Sequence, residues 1–209
     1  MRIRIVWAVC AILALGLTLS SNALARSHRH HHRSHGRTTE NGRGHESGGQ
    51  GDRTGESACE RGKAYSAWDE EWLKMSIEGD RFEIAGGNLA QQKASAQIVK
   101  ALGQRLVTDH GKSLKDAEDV AKKLGIEVPS SPSPSQQWEL RVVATFSGRS
   151  FDFWYSDLEE EDHIQDIEET KSEIEKGCNA EIKKLALEDL PMLEEHLRLS
   201  KEAEVASEH

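Results

Sequence analysis

The sequence predicts an all-α domain, a four-helix bundle, between residues 64 and 209. Three observations support this fold class. Apolar and small residues recur every three or four positions in four long segments after residue 66, which is the spacing of a buried helical stripe. Glycine or proline separates these segments. No segment alternates apolar and polar residues over a length that would predict a strand.

The first two helices are predicted at residues 68–93 and 95–124. In the first, the stripe consists of Trp72, Met75, Gly79, Phe82, Gly86 and Leu89. In the second, it consists of Gly103, Leu106, His110, Ser113, Ala117, Val120 and Leu124. Ser66 can cap the first helix, and Gly125 provides a stop for the second.

A long link precedes the other two helices. It runs over 25 residues from Gly125 to Arg149, contains three prolines, and includes a short helix predicted at residues 135–146. A link of this length in a compact domain needs a structural reason. The third helix is predicted at residues 150–176, with Gly177 at its end. The fourth is predicted at residues 178–203, with a kink at Pro191.

Residues 1–25 have the pattern of a signal peptide. Arg2 and Arg4 precede an apolar run over residues 5–19, and Ala23-Leu24-Ala25 forms a small-x-small cleavage site. No second apolar stretch of about 20 residues follows, so we expect no transmembrane segment in the mature chain. The expected location is outside the cytoplasm, either periplasmic or secreted.

Residues 26–63 are predicted to form a disordered tail, because Arg, His, Gly and Ser dominate and no aliphatic residue other than Ala occurs. A histidine-rich tract in the tail can capture Zn²⁺, Ni²⁺ or Cu²⁺, or it is simply a solvated segment. Its histidines are His28, His30, His31, His32 and His35.

The charges of the two parts have opposite sign. The tail has 8 basic and 5 acidic residues, a net charge of +3, whereas residues 64–209 have 17 basic and 31 acidic residues, a net charge of -14. An acidic domain lacks the basic face that a phosphate backbone requires, so nucleic acid is excluded as its partner. Anionic envelope polymers are the expected partners of the basic tail.

Several short motifs resemble those of a bacterial family, the domain-of-unknown-function family 4142, which is often labelled "predicted outer membrane protein". They are Phe82-Glu83-Ile84, Gly87-Asn88-Leu89-Ala90, Asp109-His110, Phe151-Asp152 with Tyr155 and His163, and Leu190-Pro191 with Glu194-Glu195-His196. The resemblance covers roughly residues 68–203. Ala85 departs from it, since many relatives are expected to have a second acidic residue there. The resemblance implies a ferritin-like bundle, in which a long crossover connects helices two and three.

In that topology, four side chains from four helices lie at similar heights. At about 1.5 Å per residue, Glu83, His110, His163 and His196 fall within about one turn of one another. Three imidazoles and a carboxylate are suitable ligands for one divalent transition metal, such as Zn, Mn, Fe or Cu. Carboxylates next to these residues are expected to orient the imidazoles; they are Asp109, Asp162 and Glu195.

The alternative to a metal site is a metal-free core, in which the histidines bond to carboxylates or to Tyr155. A di-iron site of the bundle type needs a Glu from each of two helices and a Glu-x-x-His pair from each of the other two. Only Glu160 and His163 have that spacing, and Val107 and Leu193 occupy positions where other acids are expected. The acidic run over residues 159–162 is predicted to be a solvated helix face. An oxidase is therefore less favoured than a single-metal or metal-free bundle.

The mature chain has two cysteines, Cys59 and Cys178, and disulfides form readily in exported proteins. In the crossover topology both lie at one end of the bundle, so we expect them to pair; two unpaired thiols are the alternative. Three functions then compete. They are a non-enzymatic bundle linked to envelope or stress homeostasis, which the family resemblance implies, a metalloenzyme that handles oxygen or redox metals, and an envelope interaction module that acts through the tail.

Overall fold

The computed structural model describes residues 63–208, and these residues form five α-helices without a strand. The helices are α1 (Ala67–Lys93), α2 (Gln97–Leu124), α3 (Pro134–Val143), α4 (Gly148–Lys176) and α5 (Ala180–Ser207). The all-α prediction is confirmed, and the predicted helix ends agree to within about one turn. Helix α5 continues through Pro191. None of the five helices is long and apolar enough to span a bilayer.

Several predictions concern residues outside the described range. They are the signal peptide, the tail with its histidine tract, and the cysteine at position 59. Cys178 is disulfide-bonded. Its predicted partner, Cys59, lies outside the described residues, so the identity of the pair stays a prediction.

Local capping interactions explain why the helices begin and end where they do. The Ser66 hydroxyl accepts a hydrogen bond from the Asp69 N–H, and the Asp69 carboxylate accepts one from the Ser66 N–H at 2.7 Å, which forms a capping box. Gly125 ends α2 in the left-handed conformation, with φ 72°. Asn179 caps α5 by accepting from two backbone N–H groups.

Two buried carboxylates fix the directions of the helices. Asp152, at the start of α4, accepts hydrogen bonds from the N–H groups of Ser95 and Ala96 at the start of α2, each at 2.9 Å. Helices α2 and α4 therefore begin at the same end of the bundle and run parallel. Asp69, at the start of α1, accepts from the N–H groups of residues 178 and 179, which follow α4, at the opposite end. This is the crossover topology that the resemblance implied.

The link between α2 and α4 runs along α1 from its middle to its C-terminal end. Arg81, in the middle of α1, donates to the carbonyl of Pro129 near the start of the link, at 2.9 Å. Lys93, at the end of α1, donates to the carbonyl of Ala144 after α3. The length of the link thus has a structural reason, because it must cover the distance from one end of the bundle to the other.

The core consists of two apolar clusters. The lower cluster contains Trp72, Leu73, Ile77, Ala117, Ala121, Ile126, Ile182, Leu185 and Ala186. The upper cluster contains Ala90, Ala94, Val99, Leu102, Leu106, Val143, Phe151, Tyr155 and Ala203. Between them lies a band of buried ionisable side chains, which we call the polar layer: Asp80, Glu83, His110, Glu159, His163 and His196.

Helices α1 and α2 approach very closely just above the polar layer. A Cβ added to Gly87 would lie 2.5 Å from the carbonyl oxygen of Gly103 and 2.8 Å from a methyl group of Val107. A Cβ added to Gly103 would lie 2.8 Å from the Gly87 oxygen. Since backbone atoms cannot rotate away, neither position can hold a larger residue unless the two helices separate.

We predict that Gly87→Ala lowers the free energy of unfolding by about 1–3 kcal/mol, because it forces these backbones apart. The matched control is Gly111→Ala in α2, where no neighbouring atom lies within 4 Å of the added Cβ. There the better helix propensity of Ala should raise stability by about 0.5–1 kcal/mol. Chemical denaturation followed by circular dichroism measures both. A Gly87→Ala protein as stable as the parent would contradict the close approach.

Candidate metal centre

All four long helices contribute to the polar layer. Helix α1 provides Asp80 and Glu83, three positions apart, and α4 provides Glu159 and His163, four positions apart, so each pair lies on one helix face. Helices α2 and α5 provide one histidine each. All six side chains are at most 4% exposed, and Glu83, Glu159, His163 and His196 are completely buried. The layer is therefore shielded from solvent on every side.

The structure brings the three predicted histidines together. One ring nitrogen from each of His110, His163 and His196 can be chosen so that all three atoms lie within 4.8 Å of one another. The ring centroids of the three pairs are 5.1 to 5.8 Å apart. A single cation could be bound by all three nitrogens after a small movement of the side chains, since a Zn–N bond is about 2.0–2.1 Å long and two ligand atoms of one ion therefore lie at most about 4.2 Å apart.

Hydrogen bonds determine which nitrogen of two rings carries the proton. His163 Nδ1 lies 2.8 Å from the backbone carbonyl oxygen of Glu159, which can only accept, so Nδ1 donates and Nε2 keeps its lone pair. That Nε2 is buried and has no hydrogen-bond partner. His196 Nε2 lies 2.9 Å from Asp109, so it donates and leaves the lone pair on Nδ1.

The third ring, His110, lies between two partners. Its Nδ1 is 2.8 Å from Asp80 Oδ1, and its Nε2 is 3.2 Å from Nδ1 of His196. If Asp80 holds a proton, it donates to His110, which in turn donates to His196. If Asp80 is ionised, His110 donates to it, and the lone pairs of His110 and His196 then face each other. The second state requires a cation between the rings, so a metal would take the place of one proton.

The electrostatics keep the imidazoles neutral. Burial lowers the pKa of both His110 and His196 to about 4, and it lowers the pKa of His163 well below its usual range. Burial also raises the pKa of Asp80. Although burial alone would raise the pKa of Asp109, hydrogen bonds from Arg105 and His196 lower it on balance. Neutral imidazoles are the form that binds metals.

The fourth predicted ligand, Glu83, lies in an adjacent group. Its Oε1 is 3.8 Å from His163 Nδ1. Glu83, Glu159 and His163 form a second set whose ligand atoms can be chosen within 4.8 Å of one another. The predicted four-residue site is thus two overlapping groups that share His163. Gly86 leaves room for the second group, because a Cβ there would lie 3.1 Å from Glu159 Oε1.

The two carboxyl groups of this second set are too deeply buried and too close together to be ionised at the same time. Neither oxygen of Glu83 or of Glu159 has a hydrogen-bond partner, although all four atoms are buried. Burial and the neighbouring Glu159 raise the pKa of Glu83 well above its usual range. Burial raises the pKa of Glu159 to about 7 and that of Asp162 to about 6. Such groups require either a proton or a cation.

A small cavity adjoins the histidines on the side of the lower apolar cluster. Its volume is about 30 Å³, and acidic side chains from three helices line it, namely Asp80, Asp166, Glu169 and Asp189. The second oxygen of Asp80, Oδ2, has no hydrogen-bond partner. Burial raises the pKa of Asp189 to about 7. The cavity has room for about one water molecule, which could bond to Asp80.

Glu159 and Asp80 were not predicted from the sequence to belong to the buried polar layer. The prediction that residues 159–162 form a solvated face is wrong for Glu159, which is completely buried. Hydrophobic periodicity treats acids as surface residues, yet the buried stripe of α4 is largely polar: Asp152, Ser156, Glu159, His163, Thr170 and Glu173. The helical spacing of these polar residues was the available signal.

The predicted orienting acids have different surroundings. Asp109 contacts His196, as described above. Asp162 lies near Glu83 rather than bonded to an imidazole. Glu195 is on the surface, where it pairs with Arg198 at 2.7 Å. The acceptor for His110 is instead Asp80, which lies one helical turn before Glu83.

The model of the family described as "Domain of unknown function (DUF4142)" matches residues 55–202. This range covers more than half of the chain. Neither a curated protein nor a solved structure matches the sequence.

We predict that Glu83→Gln stabilises the metal-free protein at about pH 8 by about 1–3 kcal/mol, because it removes one of two facing buried carboxylates. The raised pKa of Glu83 determines how the free energy of unfolding changes with pH. The folded chain retains this proton after the unfolded chain has lost it, so stability is full below the ordinary pKa and declines as pH rises. The gain should therefore be larger at about pH 8 than at about pH 5.

Denaturation with a chelator present, at both pH values, measures this effect. Glu161→Gln is the matched control, since Glu161 lies on α4 and is exposed. A Glu83→Gln protein that is less stable than the parent at both pH values would show that the carboxylate already has a favourable partner.

Proposed function

The chain belongs to the DUF4142 family, and we propose that its bundle binds one divalent transition-metal ion through His110, His163 and His196. The main observation that supports this proposal is that three ring nitrogens lie within 4.8 Å of one another in a buried layer. Two of these rings already donate their N–H groups to other acceptors, which leaves the lone pair of His196 on the nitrogen that faces His110 and that of His163 on a buried nitrogen without a partner.

A metal-free core accounts for these contacts less well. The chain of bonds from Asp80 through His110 and His196 to Asp109 can be satisfied by protons alone. His163 cannot join it, because its Nε2 is buried without a partner. A buried polar atom without a partner costs about 1–3 kcal/mol, and a metal at the three nitrogens would remove that cost.

The chemistry of the ligands narrows the class of metal. Neutral imidazole suits Zn²⁺, Cu²⁺, Fe²⁺ and Ni²⁺ better than Mg²⁺ or Ca²⁺. Glu83 remains the predicted fourth ligand, and its Oε1 lies 3.8 Å from Nδ1 of His163. With ligands from α2, α4 and α5, the ion would hold three helices together and stabilise the fold by an amount that grows with the logarithm of its affinity.

The biological role that we propose is metal retention outside the cytoplasm, in line with the predicted signal peptide. The basic, histidine-rich tail can then serve as a second, weaker point of metal capture or of contact with anionic envelope polymers. In this role the protein binds and stores an ion and does not catalyse a reaction.

Redox chemistry at the bound ion is a second candidate function, and one observation favours it. Glu83 and Glu159 provide two carboxylates next to His163, although Val107 and Leu193 occupy the positions where the di-iron pattern expected other acids. If the protein is a redox enzyme, the Fe²⁺-loaded chain should consume dioxygen faster than its Glu159→Gln variant. Equal rates would exclude this function.

Metal analysis of the full chain tests the main proposal. All six histidines before residue 63 are first replaced by Ser, so that the tail cannot bind metal. We expect about one Zn²⁺ per chain after stripping, reconstitution and dialysis. A His110→Ala, His163→Ala double variant should lose that ion, because a single remaining imidazole cannot hold it. Visible absorption of the Co²⁺-loaded protein provides an independent reading of nitrogen ligation.

The control is the metal-free fold of the double variant, measured by circular dichroism, which should remain helical. At a free Zn²⁺ concentration of about 100 times the dissociation constant, the parent should gain about 2.7 kcal/mol of stability, and the double variant should gain none. A parent chain that retains no Zn²⁺ and gains no stability would show that the histidines serve only the core.

A further inference from the structure

Beside the histidines, the polar layer contains an enclosed group of oxygen atoms. Glu83 on α1 and Glu159 on α4 are both 0% exposed, and none of their four carboxylate oxygens has a hydrogen-bond partner. The Tyr155 hydroxyl and one oxygen of Asp162 are also buried, and they lie close enough to interact with Glu159 and Glu83, although no hydrogen bond of normal geometry joins them. Among residues 63–208, most of the buried side-chain atoms without a partner belong to the polar layer or to residues beside it.

This arrangement is unfavourable unless something positive occupies it. A carboxylate needs donors, and neither Arg nor Lys supplies one here: the described hydrogen bonds of Arg81 and Lys93 go to Pro129, Glu118 and Ala144. The imidazole of His163 already donates to a backbone carbonyl. Only shared protons or a cation can neutralise the two acids, and a divalent cation neutralises both while it also occupies their lone pairs.

We propose that Glu83 and Glu159 bind a second divalent cation, of the hard, oxygen-preferring class, beside the nitrogen-rich position. Asp162 and the Tyr155 hydroxyl supply further oxygen atoms at the edge of this site. Donors of this type suit Mn²⁺, Mg²⁺ and Ca²⁺ rather than Zn²⁺ or Cu²⁺. The polar layer is then a two-ion centre whose two positions differ in chemistry.

Two features of the fold, the space beside Glu159 and the position of Glu83, are consistent with an ion at this site. Gly86 lies against Glu159, and a Cβ at that position would approach its Oε1 to 3.1 Å. Glu83 Oε1 is 3.8 Å from Nδ1 of His163, and Glu83, Glu159 and His163 can present ligand atoms within 4.8 Å of one another. The second site does not require that the histidines bind metal.

Mn²⁺ titration followed by electron paramagnetic resonance tests the inference, because the signal of free aqueous Mn²⁺ disappears on binding. The protein is the full chain with its six tail histidines replaced by Ser, titrated both metal-free and after loading with Zn²⁺. We expect about one tightly bound Mn²⁺ per chain. Glu159→Gln should weaken that binding by roughly tenfold or more, since it removes a charged ligand.

Glu161→Gln serves as the matched control on the same helix, and its Mn²⁺ affinity should equal that of the parent. Denaturation of each variant in chelator verifies that it is folded, and Glu159→Asp, which keeps the charge on a shorter side chain, should retain partial binding. Parent-like Mn²⁺ affinity in Glu159→Gln, or no Mn²⁺ bound by the parent, would overturn the second site and assign the acids to shared protons.

The two proposals can fail separately. Zn²⁺ binding without Mn²⁺ binding would overturn the second site and leave the histidine site intact. Mn²⁺ binding that depends on Glu159, in a chain that retains no Zn²⁺, would support the second site and overturn the proposed function.

Discussion

The burial of an ionisable layer between two apolar clusters is the constraint on which this structure depends. Six acids and imidazoles lie in the middle of the bundle, where water cannot solvate them. Each must find a partner within the protein, because an unpaired buried charge destabilises the fold by several kcal/mol. The apolar clusters above and below supply the favourable free energy of burial that makes such a layer tolerable.

Helix direction and helix spacing both help to bring the side chains of this layer together. The crossover places every pair of adjacent long helices antiparallel, so the middle of each helix meets the middle of its neighbours. The Gly87–Gly103 contact then draws α1 and α2 together directly above Glu83. Hydrogen bonds to Asp80 and Asp109 orient the imidazoles of His110 and His196. The geometry of the centre is therefore a property of the whole bundle rather than of a loop.

The sequence was sufficient to predict the helices and part of the candidate metal centre. The 3.6-residue period and the turn at Gly125 predicted the elements, and the fixed rise per residue predicted that Glu83, His110, His163 and His196 would have similar heights. Height alone does not determine the angle around each helix axis, which decides that Glu83 faces Glu159 rather than His110. Acids such as Asp80 were missed because their burial depends on neighbours from other helices, which periodicity within one helix does not contain.

The centre also spans most of the folded chain, and this has a consequence for the order of folding. Glu83 and His196 are separated by more than a hundred residues, and between them the chain must complete α2, the crossover and α4. Neither the α1–α2 hairpin nor the α4–α5 hairpin contains all of the ligands. An ion of the kind proposed could bind tightly only after both hairpins had docked. Its binding would therefore stabilise the docked bundle and slow the separation of the two hairpins during unfolding.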